Sequence, residues 1–254
     1  MSELRWQLDG LTLEILLERL GRDRFPYPLS FRPARMEHRD DYERLVRRTE
    51  QRLAQVFDKR LYRAMEVLLE PQVRVEIHGF HGPQQDRVVR VHAGLVDQVA
   101  TIAVQQPGPT VEHGTDVVIT MGYANMAVST IASHLPRVRG GSHQPFGARR
   151  SDLNQPVYSQ HPTRLSPTEQ LARFIRRPRI GTGEITVYPG AAFDARPTND
   201  GHAFLWMDYP NDGRYLLTNH NDNDFTVTPG PIDELMRHLQ LRIDHVHRLR
   251  TGAW

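Results

Sequence analysis

The stretch Ala203-Phe-Leu-Trp-Met207, Tyr209-Pro-Asn-Asp-Gly213, Arg214-Tyr-Leu-Leu-Thr218 decides the fold class of this chain. An apolar run, a turn cluster and a second apolar run spell an antiparallel hairpin. A polar cluster, Asn219-His-Asn-Asp-Asn-Asp224, then separates the hairpin from a third short run, Phe225-Thr-Val-Thr228. In Thr228-Pro-Gly-Pro-Ile-Asp-Glu234 a threonine cap, early prolines and early carboxylates predict a helix start. Ile232, Leu235, Met236, Leu239, Ile243 and Val246 recur at spacings of three and four, so one helix face is apolar. That face must cover the hairpin, and antiparallel strands capped by a helix define an α+β class.

Working back from this stretch, the spacing predicts a helix over Pro167–Arg176 and a strand over Glu184–Tyr188, with Gly181-Thr-Gly183 as a turn between them. Residues 137–163 are rich in Gly, Pro, Ser and Arg and are expected to form a loop. Before that loop the same order of elements occurs. Asp41–Leu69 reads as one long helix or two short ones ended by Pro71; strands are expected over Val73–Ile77, Arg87–Val91, Val99–Val104 and Val117–Thr120; Tyr123–Leu135 is a short helix closed by Pro136. Two pseudo-symmetric halves, about 41–135 and 167–248, would then share one central, mainly antiparallel sheet flanked by helices in a single domain spanning 1–254. At the N-terminus, Leu4, Trp6 and Leu8 alternate with Arg5 and Gln7 as in a half-buried strand, and Asp9 can cap a helix carrying Leu13, Leu16, Leu17 and Leu20.

Composition narrows the function. The chain has 254 residues, with 32 basic against 30 acidic side chains and a net charge of +2, which argues against a dedicated nucleic-acid binder. Cysteine is absent, which excludes disulfides, zinc ribbons and thiol nucleophiles. The first residues carry no secretory leader pattern and no apolar run reaches spanning length, so a soluble cytoplasmic protein without membrane insertion is expected.

Chemical motifs are sparse. His78, His81 and His92 lie across the first hairpin, but positions 78 and 81 point to opposite faces of a strand, so exposed histidines are expected rather than a metal site. His220-Asn-Asp-Asn-Asp224 lacks the glycine and terminal glutamate of a calcium loop. Nucleophile-elbow, phosphate-loop and zinc-helix motifs are missing, so no catalytic residue, cofactor or metal is assigned. Arg137, Arg139, Arg149 and Arg150 form one basic group, and Arg173, Arg176, Arg177 and Arg179 another, with only Phe146 and Phe174 as neighbouring aromatic platforms. An unrecognised hydrolase or metal enzyme, and an arginine-driven nucleic-acid binder, stay open as alternatives.

A family resemblance favours a different reading. Leu11-Thr12 with Leu16, Leu20-Gly21, Phe25-Pro26, Leu68-Leu-Glu-Pro71 before Val73-Arg-Val75, and Arg90 with Gly94 occur in the first half. Leu135-Pro136, Arg179 with Gly181 and Gly183, Gly213-Arg-Tyr-Leu216 and Thr228-Pro229 follow in the second. In that order they resemble landmarks of the EspG family of secretion-associated chaperones of type VII (ESX) systems. The resemblance implies a cytosolic non-enzyme, a monomer or weak dimer. Its partner would be a helical, PPE-like subunit of a PE–PPE pair, kept soluble for export. It also implies recognition through a loop between early strands together with the C-terminal helix. On this chain that points to Phe80, His81, Gln84, Gln85 and Asp86 on the loop, and Arg237, His238 and Arg242 on the helix.

Overall fold

The computed structural model describes residues 3–33, 38–153, 166–192 and 198–252. A first strand, β1 (Leu4–Leu8), leads into α1 (Gly10–Arg19), α2 (Arg39–Val56) and α3 (Lys59–Leu69). Four strands follow, β2 (Val73–His81), β3 (Arg87–Val96), β4 (Val99–Pro107) and β5 (Gly114–Tyr123), then α4 (Ala127–Ser133). The second half repeats the plan with β6 (Phe146–Arg149), α5 (Arg150–Leu153), α6 (Pro167–Ile175), β7 (Gly181–Pro189), β8 (His202–Tyr209), β9 (Gly213–Asn219), β10 (Asp224–Pro229) and α7 (Ile232–Thr251).

All ten strands join one antiparallel sheet in the order β1-β5-β4-β3-β2-β7-β8-β9-β10-β6. The order is a palindrome about the β2–β7 seam, with β3 matching β8, β4 matching β9, β5 matching β10 and β1 matching β6. This is the pseudo-symmetric α+β sheet expected from the sequence, and each half begins one strand earlier than the spacing suggests. The segment predicted as a loop over 137–163 carries the edge strand β6 and the turn of helix α5, and its residues 154–163 lie outside the described residues. Four residues of pattern Phe-Gly-Ala-Arg are too short for a period-two signal; β6 owes its form to pairing with β10.

Local chemistry sets the boundaries. Asp9 accepts from the Thr12 amide at 2.8 Å to start α1. The 41–69 segment resolves into two helices because Asp58 accepts from the Arg60 and Leu61 amides and opens α3 afresh. Ser166 and Glu169 form a reciprocal capping box on α6. Two expectations fail at strand ends. Thr228 lies in β10, where the ladder with β9 continues through Pro229, and α7 starts after Pro231 without a side-chain cap. Gly181-Thr-Gly183 is the first part of β7 rather than a turn. The segment pairs with β2 and β8 on either side, and its glycines make room for the Trp206 ring. Gly79 and Gly183 pair across the seam, and a Cβ on either would lie 2.4 or 2.1 Å from Trp206 ring carbons. Only bare backbone leaves room for that indole on the sheet.

Helices cover both faces. On one, Leu235, Leu239, Ile243 and Val246 of α7 and Ala127, Val128 and Ile131 of α4 bury against Val75, Ile77, Val91, Ile185, Phe204 and Trp206. Each large aliphatic side chain buried there contributes ~1.5–3 kcal/mol before chain entropy is counted. On the other, Leu16, Leu17, Leu61 and Met65 of α1 and α3 cover Ala103, Ile119 and Met121. At its far end Leu171 and Phe174 of α6 cover Met207, Tyr215 and Val227.

Candidate partner-binding surface

The predicted loop residues gather at the β2–β3 tip. Strand β2 runs on through His81, so the connection is shorter than the sequence suggests, and the turn is closed by the Gln85 amide donating to the Gly82 carbonyl at 3.0 Å. Gly82 and Gln85 both take positive φ, 99° and 54°. Gln85 is tied inward, its side-chain amide donating to the Arg179 carbonyl at 2.8 Å ahead of β7. Gln84 and Asp86 remain exposed on the rigid turn. Phe80 and His81 leave β2 on opposite faces. Phe80 packs edge-on to His78 at 5.2 Å, and His78 meets Tyr27 at 5.8 Å, giving a half-buried aromatic row. His81 shares its face with the Asp208–Arg214 ion pair, buried to 1% exposure with bonds of 2.7 and 2.9 Å. Burial, with Arg87 close by, pushes the His81 imidazole below its ordinary value.

The helix residues form a second patch. Arg237 grips Glu234 through two bonds of 2.9 and 2.6 Å, and His238 meets the same carboxylate at 3.1 Å. Arg242 lies over the Phe204 ring at 4.5 Å. Arg237 projects into solvent, whereas His238 and Arg242 are half-buried against β8. The ladder rung through Phe80, Thr182, Met207 and Tyr215 ends at Pro229, just ahead of α7, so the loop and the start of the helix share one end of the molecule.

The exposed-histidine expectation is wrong at the sheet centre. Beneath the 25–29 segment, Arg74, Glu76, Arg90, His92 and Thr186 are buried, with Arg74 and His92 each 2% exposed. Arg74 approaches Glu76 at 2.8 Å and lies 4.4 Å over the Tyr188 ring. His92 meets the Tyr27 carbonyl through Nδ1 at 2.6 Å. Burial pushes the Glu76 carboxyl up to about 7 against the pull of Arg74, and lowers His92 to about 4. Alternation alone predicts exposure for His92, because the sequence does not reveal the strap that covers it. The signal available was Arg74 and Glu76 two residues apart on a strand with an aromatic-rich segment still unplaced.

Of the two arginine groups, Arg137, Arg173 and Arg176 are exposed, whereas Arg139, Arg149, Arg150, Arg177 and Arg179 are engaged within the chain. Arg139 donates to the Asn211 and Asp212 carbonyls, and Arg150 to Asn219. Arg177 bonds Asp212 at 2.8 Å and lies over Phe174 and Tyr209 at 4.4 and 4.0 Å. Burial acts upward on Asp212, yet the Ser142 amide, Arg177 and the Tyr215 hydroxyl hold its carboxyl well below the usual range. The 219–224 cluster makes a local turn in which Asn221 accepts from the Asn223 and Asp224 amides. Among the described residues, no group of three His, Asp or Glu side chains is placed to hold a metal, and no helix is long and apolar enough to cross a membrane.

The ten-stranded palindromic sheet, with helices on both faces, presents the β2–β3 hairpin tip at one end. The EspG family model matches residues 9–240, and the chain belongs to that family. Among solved structures, its fold is similar to that in the structure of the Mycobacterium tuberculosis type VII secretion system chaperone EspG5 in complex with the PE25–PPE41 dimer. The TM-score is 0.59, with 95% of this chain and 96% of that chain covered at 13% sequence identity. No curated protein matches in sequence.

Proposed function

We propose that this chain is a cytosolic type VII secretion chaperone, without catalytic activity, that binds a helical PE–PPE-like pair and keeps it soluble for export. Family membership across residues 9–240 carries the reading. The whole-chain likeness to a fold seen with a PE–PPE dimer supports it. The recognition surface in this reading is the β2–β3 tip, with Gln84 and Asp86 exposed on the turn that follows Phe80, extended by Arg237, His238 and Arg242 on α7. Such a tip offers an apolar ring with hydrogen-bonding groups at its rim, the mixture that a helical end requires.

The test is affinity capture of the tagged chain from its native host, followed by co-expression with each PE–PPE pair recovered. A stable complex, and a larger soluble fraction of the pair in the presence of the chain, are expected. Capture that recovers no PE–PPE protein, or pairs whose solubility is the same with and without the chain, would overturn the reading.

A further inference from the structure

The hairpin of β8 and β9 opens at the end away from its turn. β7 stays paired with β8 as far as His202, and β10 with β9 as far as Asn219, but the ladder between β8 and β9 stops at Leu205 and Leu217. It holds five pairs, against seven in the matching β3–β4 ladder of the first half. Continued, the register would set Ala203 against Asn219 and His202 against His220. Instead these four residues line a cleft of about 660 Å³ between the strand ends, the start of α5 and the second half of α7. That volume suits a small molecule. The cleft lies ~16 Å along β8 from the Met207 rung that leads to the hairpin tip.

Its lining is cationic. Arg150 enters from α5, Arg242 and His245 from α7, His202 from β8 and His220 from the turn before β10, and Asp222 is the one carboxylate among the described lining residues. Arg150 is held at the mouth by donating to Asn219 at 2.8 Å. Arg242 is half-buried; it donates to the His238 and Ala203 carbonyls at 3.2 and 3.5 Å, and no carboxylate of the described residues forms an ion pair with it. A cation withdrawn from water without a counter-charge is costly, so the position favours an incoming anion. The His202 and His245 rings meet edge-on at 4.7 Å. Burial, then His245 and Arg242, push His202 below its ordinary value, and Asp200 acts the other way.

We propose that this cleft binds a phosphate group, with Arg150 and Arg242 as its fixed cations and His202, His220 and His245 as donors that gain charge when the dianion enters. A tetrahedral oxyanion accepts from several directions, so donors spread over four elements suit it better than a planar carboxylate, which a single guanidinium fork satisfies. With the imidazoles neutral, the lining carries two cations against Asp222. A bound dianion offsets the repulsion that Arg242 and His245 exert on a charged His202, so binding takes up protons and tightens as pH falls. Free phosphate and a small phosphomonoester are the two sources of this group. Arg242 is shared with the partner surface of the chaperone reading; Arg150 and the three histidines lie outside it.

Calorimetric titration of the full chain with inorganic phosphate and with glycerol 3-phosphate, at constant ionic strength so that screening does not intrude, tests the site. Saturable binding with a Kd of about 1 mM or tighter is expected. Arg150→Gln combined with His245→Gln should weaken it about tenfold, the loss of one charged contact or more, and both side chains are exposed, so melting is unchanged. Tighter binding of glycerol 3-phosphate assigns the group to a monoester, and equal binding assigns it to free phosphate. Sulfate, a dianion at every pH used, isolates the imidazoles: it should bind several-fold more tightly at about pH 6 than at about pH 8. Absence of saturable binding up to ~10 mM, well above the expected Kd, would overturn the proposal. So would full affinity in the double variant, or sulfate binding that is flat with pH. The titration uses the chain alone, so its failure is distinct from failure to recover a PE–PPE pair.

Discussion

Glu76 and His92 stand directly opposite each other on β2 and β3, both buried on the strap-covered face. Their ordinary values are 4.5 and 6.5, and the fold moves them to about 7 and about 4. Between about pH 4.5 and 6.5 the folded pair therefore carries its proton on Glu76, whereas the unfolded pair carries it on His92. The proton count is equal, so the pair contributes no slope of stability against pH in that window.

Single variants should expose the two hidden slopes. With Glu76→Gln only His92 remains: its folded value is depressed, so its contribution is present above about pH 6.5 and is lost as pH falls toward 4. With His92→Gln only Glu76 remains: its folded value is raised, so its contribution is present below about pH 4.5 and is lost as pH rises toward 7. Urea titrations across this range should give slopes of opposite sign relative to wild type, each up to ~1.4 kcal/mol per pH unit. Slopes of the same sign would show that the pair does not titrate this way.

Gly183→Ala and Gly79→Ala should each destabilise by ~1–3 kcal/mol or more, because the new methyl collides with the Trp206 ring. Gly122→Ala is the control, since nothing lies within 4 Å of a Cβ there. Thermal melts of the three proteins decide the matter; equal melting temperatures would remove the steric argument.

Leu239→Asp should abolish cooperative folding, because it places an unpaired carboxylate at a fully buried position of α7, at a cost of several kcal/mol. Met236, on the border of the same face, is only partly buried, and Met236→Asp should leave a cooperative but lower melt. Circular dichroism melts that rank the two in the reverse order would misplace the helix on the sheet.

At the hairpin tip, Gln84→Ala combined with Asp86→Ala should weaken partner binding by ~1–2 kcal/mol if one strong contact lies between them, with melting unchanged. Gln85→Ala should do the opposite, costing ~0.5–1.5 kcal/mol of stability through the lost bond to the Arg179 carbonyl. Calorimetric binding set beside melting temperature separates the two roles, and a Gln85→Ala protein that keeps its melting temperature but loses affinity would assign that amide to the interface.

Where periodicity ran long, the sequence was readable. The hairpin of Phe204 and Tyr215, the α7 stripe through Val246 and the matching order of the two halves all appear in the structure. What escaped was set by contacts distant in sequence. Phe146–Arg149 is a strand only because β10 lies beside it, Gly181–Gly183 is extended because β2 and β8 pair with it on either side, and His92 is buried only because the 25–29 strap crosses it. Around the tip, the pattern located the turn but not the inward bond of Gln85, which depends on Arg179 being folded beneath it.

The palindromic strand order also bears on how the chain reaches this state. Every ladder except β2–β7 joins strands of the same half, and most join neighbours in sequence. Leu4 pairs with Met121 and Val73 with Pro189, so long loops are closed at the β1–β5 edge as well as at the β2–β7 seam, and the entropy of closing them grows only slowly with the length enclosed. A ten-stranded antiparallel sheet would ordinarily imply high contact order and slow folding. Here six of the nine ladders join strands adjacent in sequence, and the two halves meet along nine residue pairs from Val73 to His81. Severing the backbone between α4 and β6 leaves all other ladders inside one fragment or the other, and the two fragments meet along the β2–β7 seam and through the packing of α4 and α7 on one face of it.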